Sequence, residues 1–454
     1  MKILTFYASE RAKLDSNVHS GGGTDDTQAL QAILDIADEN TGVRLIMDGA
    51  ALVSSLQVSS NTTIECLSKD CGFYQIDQTN KAIVTNKNWC LKGRPTKNVS
   101  LIGGSYNQNC LNQIHHSMST DEERVYTMSA WRCTFALEFY GIENFLMRDV
   151  TVIDFRTYAF MMTNFKNCTI EDTWLELNHH MEGNQDGFHF WGPGQYLTVR
   201  NVGGRVGDDF MNIGPDEGDL ESSITDVLVD GVFLDEADQA IRLLTRKNGL
   251  LDRVTIRNVQ GSYKSFGFYI DPWFSDSPGN FGDLFFENIN LKQMPPNYFY
   301  HQPILFSIGG DIRCLTLQNI RHEYPDDNRS IAEIGIHSPE SSNFESAKFT
   351  KPDGTRPKIQ NLIIDGLTII ENGDSKDMVA FDVYGEVGNM IVKNVLAVKD
   401  DGVETSGTLI KLQDCSNVDN LILTDSVVRG MEKVVDGEKN AKFTKVENCT
   451  GVRG

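Results

Sequence analysis

Leu197-Thr198-Val199-Arg200-Asn201-Val202 is followed by Val227-Leu228-Val229-Asp230-Gly231-Val232, and then by Val254-Thr255-Ile256-Arg257-Asn258-Val259. The shared pattern is apolar, any, apolar, any, then Asn, Asp or Gly, and then apolar again. Alternation with period two points every second side chain at a core, as in a half-buried strand. The small polar residue or glycine that closes each run is of the kind found at chain corners. The pattern starts at Phe145, Cys168, Leu197, Val227, Val254, Leu284, Leu315, Leu362, Met390 and Leu421, in steps of 23, 29, 30, 27, 30, 31, 47, 28 and 31 residues. The long step contains the polar stretch from Glu340 to Lys358, which reads as a loop insertion.

A second strand-like run precedes the first in many of these units: Phe188 to Phe190, Ile241 to Leu243, Phe268 to Ile270, Ile304 to Ile308 and Val379 to Val383. Two or more strands per unit, in a repeat of fixed length with polar corners, describe a β-solenoid. The predicted fold is all-β, a single parallel β-helix. A β-sandwich also has many short strands, but it would not repeat one motif in register along the chain. A leucine-rich repeat has a shorter period and a helix-like second half.

Ahead of the repeats, residues 1–60 read as an N-terminal segment and residues 61–454 as the β-helix. Gly21-Gly22-Gly23-Thr24-Asp25-Asp26 leads into Leu30, Ile33, Leu34 and Ala37 at helical spacing. The spacing predicts an amphipathic helix over 27–38, capped by Thr24, Asp25 or Asp26. Such a helix would cover the open end of a sheet stack, whose edge groups are otherwise unpaired. The glycine-rich turn matches neither phosphate-loop pattern.

Acidic residues number 63 against 41 basic ones, a net charge of −22. That balance repels nucleic acid and anionic membranes, so neither is expected as a partner. No stretch approaches the 18 or so apolar residues of a membrane span. The apolar patch at the start covers about five residues, shorter than a secretory signal needs. The expectation is a cytoplasmic protein, or a secreted one whose signal has been removed. The nine cysteines include no Cys-x-x-Cys pair, which fits reduced thiols better than a disulfide framework or a zinc site. Cys168 falls at an apolar position of the repeat and is expected in the core.

The chemistry concentrates between Asn184 and Gly214. Asn184-Gln185-Asp186 precedes the run Phe188-His189-Phe190, and Gly207-Asp208-Asp209 precedes Phe210-Met211-Asn212-Ile213. Asp208 lies 22 residues after Asp186, close to one repeat. Stacked on neighbouring rungs about 4.8 Å apart, three carboxylates crowd one patch. Like charges at that range resist simultaneous ionisation and push an acid and a base apart in pKa. Read as local structure only, the same aspartates cap turns. Aligning the second strands puts Phe188, Phe210, Ile241 and Phe268 inward and His189, Met211, Arg242 and Tyr269 outward. Arg242 is then either a solvated surface group or a charge partner and sugar donor. Trp131, Trp174, Trp191 and Trp273 offer either stacking surfaces for sugar rings or corner packing. The pairs His115-His116 and His179-His180 have no acidic residue at standard ligand spacing, so no metal site is expected.

These residues resemble the polygalacturonase family of glycoside hydrolases. That family carries Asn-Thr-Asp, Gly/Gln-Asp-Asp, Gly-His-Gly and Arg-Ile-Lys in order on a right-handed parallel β-helix. Asn184-Gln185-Asp186 looks like the first motif, Gly207-Asp208-Asp209 like the second, and Arg242 like the arginine of the fourth. No Gly-His-Gly follows the aspartate pair, and Leu244 stands where the family has a uronate-pairing lysine. The resemblance implies an inverting glycoside hydrolase that needs no cofactor. In it Asp208 would be the acid, with Asp186 and Asp209 holding and deprotonating the attacking water. Asn184, His189, Trp191, Arg242, Tyr269 and Trp273 would contact a carbohydrate substrate, with a non-uronate glycan expected because the lysine is lost. A polysaccharide lyase and a non-catalytic, phage tail-like glycan-binding β-helix are the alternatives.

Overall fold

The computed structural model describes residues 2–89, 93–113, 135–179, 184–219, 221–246, 248–272, 277–295, 304–324, 330–335, 350–371, 379–399, 407–429 and 431–451. Among them, 28 strands and one α-helix are present. The chain divides into two compact units, Met1–Asn212 with Glu217–Leu228, and Ile213–Asp216 with Val229–Gly454. The strand pairings that register residue by residue are parallel, and the fold is a parallel β-helix.

In the first unit three ladders run side by side. One passes through Leu4, Val43, Thr62, Val99, Phe145, Cys168 and Leu197. A second passes through Leu56, Val84, Leu137, Phe160 and Phe188. The third passes through Ala50, Gly72, Ser105, Thr151, Trp174 and Gly203. Each coil here therefore carries three strands, one more than the minimum of two read from the repeat. The first ladder begins at Lys2–Tyr7, so rungs already form inside residues 1–60.

In the second unit one ladder joins Val254, Leu284, Leu315, Leu362, Met390, Leu421 and Thr444. Another joins Phe268, Phe306, Ala332, Phe381, Ile410 and Val435. Leu315 pairs directly with Leu362, so the step of 47 residues adds no rung between them. Most of the predicted insertion, residues 340–349, lies outside the described residues.

The alternation does what the pattern requires. Both apolar positions of each repeat, from Phe145 and Met147 to Leu421 and Leu423, are buried. Burying a side chain of this size is favourable by about 1.5–3 kcal/mol. Like side chains stack along the axis: Phe188 and Phe210 meet edge to face at 5.8 Å, and Phe268 and Phe306 stack at 4.9 Å. Cys168 is fully buried, as expected.

The helix spans Thr27–Leu34 and ends before the predicted residue 38. Asp38 has a competing use: its Oδ1 accepts the N–H groups of Asn40 and Thr41, which folds a turn instead of another helical step. Asp25 holds the start, its Oδ1 accepting the Thr27 N–H, while the Asp26 carboxylate accepts from Lys13 and Leu14. Gln31 bonds both backbone groups of Gln57, and Thr27 accepts the Ser54 N–H, tying the helix to the coil beside it.

Candidate active site

Asp186, His189 and Asp209 belong to one small cluster in the first unit. The segments that carry them run side by side: the Gly187 N–H donates to the Asp209 carbonyl and the Gly207 N–H to the Gln185 carbonyl. Gly187 is required there, because a Cβ would sit 2.3 Å from the Phe210 carbonyl oxygen. His189 is paired through the backbone with Met161 of the preceding coil. One donor atom from each of Asp186, His189 and Asp209 lies within 4.8 Å of the other two. His189 Nε2 is 2.7 Å from Asp186 Oδ2. All three residues are buried, Asp209 completely.

This burial departs from the outward alternation. His189, Met211 and Tyr269 are all at most 2% exposed. Tyr158 lies over His189 with ring centroids 3.8 Å apart, and Phe135 stacks on Tyr158 at 4.7 Å. A side chain that leaves a strand away from the coil's core reaches water only where nothing covers that face. Here an apolar layer of Phe135, Tyr158, Met161 and Trp191 covers it. Trp191 belongs to that layer and not to an exposed sugar platform. Its indole N–H donates to Glu217 Oε2 at 2.6 Å, and the residue is 1% exposed.

Asp208 stands apart from the cluster's interior. It is half-buried, and its Oδ2 accepts the Asn184 N–H at 3.0 Å. Asn184 is itself half-buried and left-handed, with φ 67°. The three aspartates thus divide into a buried pair, Asp186 and Asp209, and a more accessible third, Asp208.

Arg242 and Tyr269 lie in the second unit. The Arg242 guanidinium carbon is 5.3 Å from the centre of the Tyr269 ring. Tyr269 packs with Leu244, Phe266 and Ile304 in a buried apolar cluster, so the position of the family's lysine is filled by core. Arg246 is buried as well, its N–H donating to Asp216 Oδ1 at 2.6 Å. Trp174 is 41% exposed on the third ladder. Trp131, Trp273, Lys247, His115, His116 and His180 lie outside the described residues.

Sequence reading missed Glu217, which bonds Trp191 in the layer over the cluster, and Glu138, two rungs from His189. Glu217 follows a Gly-Pro-Asp turn and carries no periodic signal. Glu138 pairs through the backbone with Met161, which in turn pairs with His189. Burial of its carboxyl pushes Glu138 up to about 7, where it exchanges a proton near neutrality. As a donor set, two carboxylates and an imidazole are also able to hold a metal ion.

No protein-family model matches the chain, and no curated protein matches it in sequence. Among solved structures, it is similar to a family 28 exopolygalacturonase from Yersinia enterocolitica at 12% identity, covering 100% of this chain and 79% of that one, with a TM-score of 0.44. It is also similar to a hyperthermoactive exopolygalacturonase from Thermotoga maritima at 12% identity, covering 96% and 92% of the two chains with a TM-score of 0.47. A tailspike protein mutant of E. coli bacteriophage HK620 aligns at 10% identity over 94% of this chain and 75% of that one, with a TM-score of 0.44.

Proposed function

We propose that the protein is a glycoside hydrolase that cleaves a neutral glycan with inversion of configuration. The observation that carries this reading is the division of the three aspartates into a close, buried pair and a separate, half-buried third. An inverting acid and base stand about 6.5–9.5 Å apart, to leave room for the attacking water. Asp186 and Asp209 present oxygens within 4.8 Å of each other, too close to be that acid and base. They act together on one side of the bond, accepting the proton of the water. Asp208 acts from the other side and protonates the leaving oxygen. Its Oδ2 is held by the Asn184 N–H. His189, 2.7 Å from Asp186 Oδ2, orients that carboxylate and stabilises its negative charge.

The substrate is neutral on this reading. Leu244, which the resemblance aligns with the family's uronate-pairing lysine, is an uncharged side chain buried among apolar ones. Near Asp186, Asp208 and Asp209 each uncompensated repulsion would cost on the order of 1 kcal/mol or more. The test is a panel of neutral and acidic oligosaccharides assayed for reducing ends. Release from neutral members is expected to exceed release from polygalacturonate, and Asp208→Asn is expected to lower turnover by about 10²–10⁴-fold. Faster release from polygalacturonate than from every neutral glycan would overturn the substrate assignment.

One observation favours a second reading. Asp186, His189 and Asp209 are almost inaccessible, as befits an internal polar network in a β-helix that binds glycans without cleaving them. Retained glycan binding with no release by the unmodified protein would establish it.

A further inference from the structure

The third ladder of the first unit carries a different cluster. Its strands Ser105–Asn107, Thr151–Ile153 and Trp174–Glu176 pair in register, with Asn107, Ile153 and Glu176 on successive rungs. Just past these strand ends the chain places Cys110, Asp154 and His179. One donor atom of each lies within 4.8 Å of the other two. His179 Nδ1 is 3.1 Å from Asp154 Oδ2. Asp154 Oδ1 accepts the N–H groups of Asn178 and His179, which fixes the carboxylate and aims Oδ2 at the imidazole. The Cys110 sulfur lies 3.6 Å from the His179 carbonyl oxygen. Cys110 is 1% exposed and Asp154 8%, while the His179 side chain is half exposed.

We propose that Cys110, Asp154 and His179 form a binding site for a divalent transition metal, with Zn²⁺ the best match to the donors. A thiolate, an imidazole and a carboxylate are the side chains that bind zinc, at about 2.0–2.3 Å. Two donors in a tetrahedron of that size lie about 3.4 Å apart. The 3.1 Å between His179 Nδ1 and Asp154 Oδ2 is already close to such an edge. All three donor atoms already lie within 4.8 Å of one another, and the His179 side chain is half exposed. Three protein donors leave a fourth position for water or a small ligand, as at open zinc sites. The donors come from three coils, 44 and 25 residues apart (154 − 110 and 179 − 154). Local ligand spacing in the sequence therefore carries no trace of the site.

The test uses the full chain, stripped with a chelator and titrated with Co²⁺ and then Zn²⁺. The proposal expects one thiolate-bound Co²⁺ per chain, with the near-ultraviolet absorption of a cobalt–thiolate bond, displaced by Zn²⁺. Cys110→Ser is expected to remove that absorption. His179→Gln, at a half-exposed position that leaves folding intact, is expected to weaken affinity by at least about tenfold. Exposed Cys415→Ser serves as the control and leaves both unchanged. Absence of the absorption, its persistence in Cys110→Ser, or unchanged affinity in His179→Gln would each overturn the proposal. Circular dichroism of each variant separates loss of ligand from loss of fold.

Discussion

Asparagine, aspartate and glycine recur in this chain because the backbone at their positions is left-handed. Asp149, Asp172, Asn201, Asn258, Asn288, Asn319, Asn394 and Asp425 all have φ between 48° and 58°, and Gly231 and Gly366 have φ of 87° and 82°. Most residues avoid that region at a cost of about 1–2 kcal/mol, whereas Asn, Asp and Gly enter it readily. Asparagine adds a second contribution. Asn319 Nδ2 donates to Asn288 Oδ1 at 2.7 Å, and Asn288 Nδ2 donates to Asn258 Oδ1 at 3.1 Å, so the side chains form a ladder. Asn288→Ala should therefore lose stability by about 1–3 kcal/mol from backbone strain and broken bonds together. Asn288→Gly should lose less, since only the ladder suffers. Urea midpoints of the two variants check the order. The corner residue was legible in the sequence as a recurring small polar position. The ladder was not, since its partners stand about one coil apart.

At the scale of strands and helix, the alternation made the inward column readable and left the outward one open. The inward positions Phe188, Phe210, Ile241 and Phe268 are all buried, as their spacing implies. The outward positions depend on whatever covers that face, which period-two alternation does not encode. So His189 lies under Tyr158, and Trp191 bonds Glu217 in place of facing sugar. The helix ended early for a comparable reason, because the Asp38 side chain offers the backbone another partner. A further buried polar pair links two strands of the second unit. Tyr263 Oη lies 2.8 Å from His322 Nε2, and burial lowers His322 from 6.5 to about 3. The neutral imidazole is thus favoured by folding. Its contribution is fully present above about pH 6.5 and is lost as pH falls toward 3. Urea midpoints measured across that window should fall more steeply for the unmodified protein than for His322→Gln. Equal slopes would show that His322 does not govern acid stability.

On the scale of the whole molecule, stacking coils places residues that are distant in sequence on one rung edge, and chemistry follows from that stacking. Asp186 and Asp209 meet because their segments pair, and Cys110, Asp154 and His179 meet because three strands of the third ladder pair. The neighbourhood of the first convergence was legible, because Asp186 and the Asp208-Asp209 pair stand about one repeat apart and each precedes a strand; that Asp209, and not Asp208, joins Asp186 was not. The second was hidden, because its residues follow their strands at unequal offsets. The acid and base assignment is tested most directly by proton NMR of the anomeric signals in fresh hydrolysate of the best neutral substrate. The proposal predicts that the first product formed has the configuration opposite to that of the cleaved bond, and that Asp186→Asn, Asp208→Asn and Asp209→Asn each suppress its formation while remaining folded. Retention of configuration, or near-normal rates in all three variants, would contradict it.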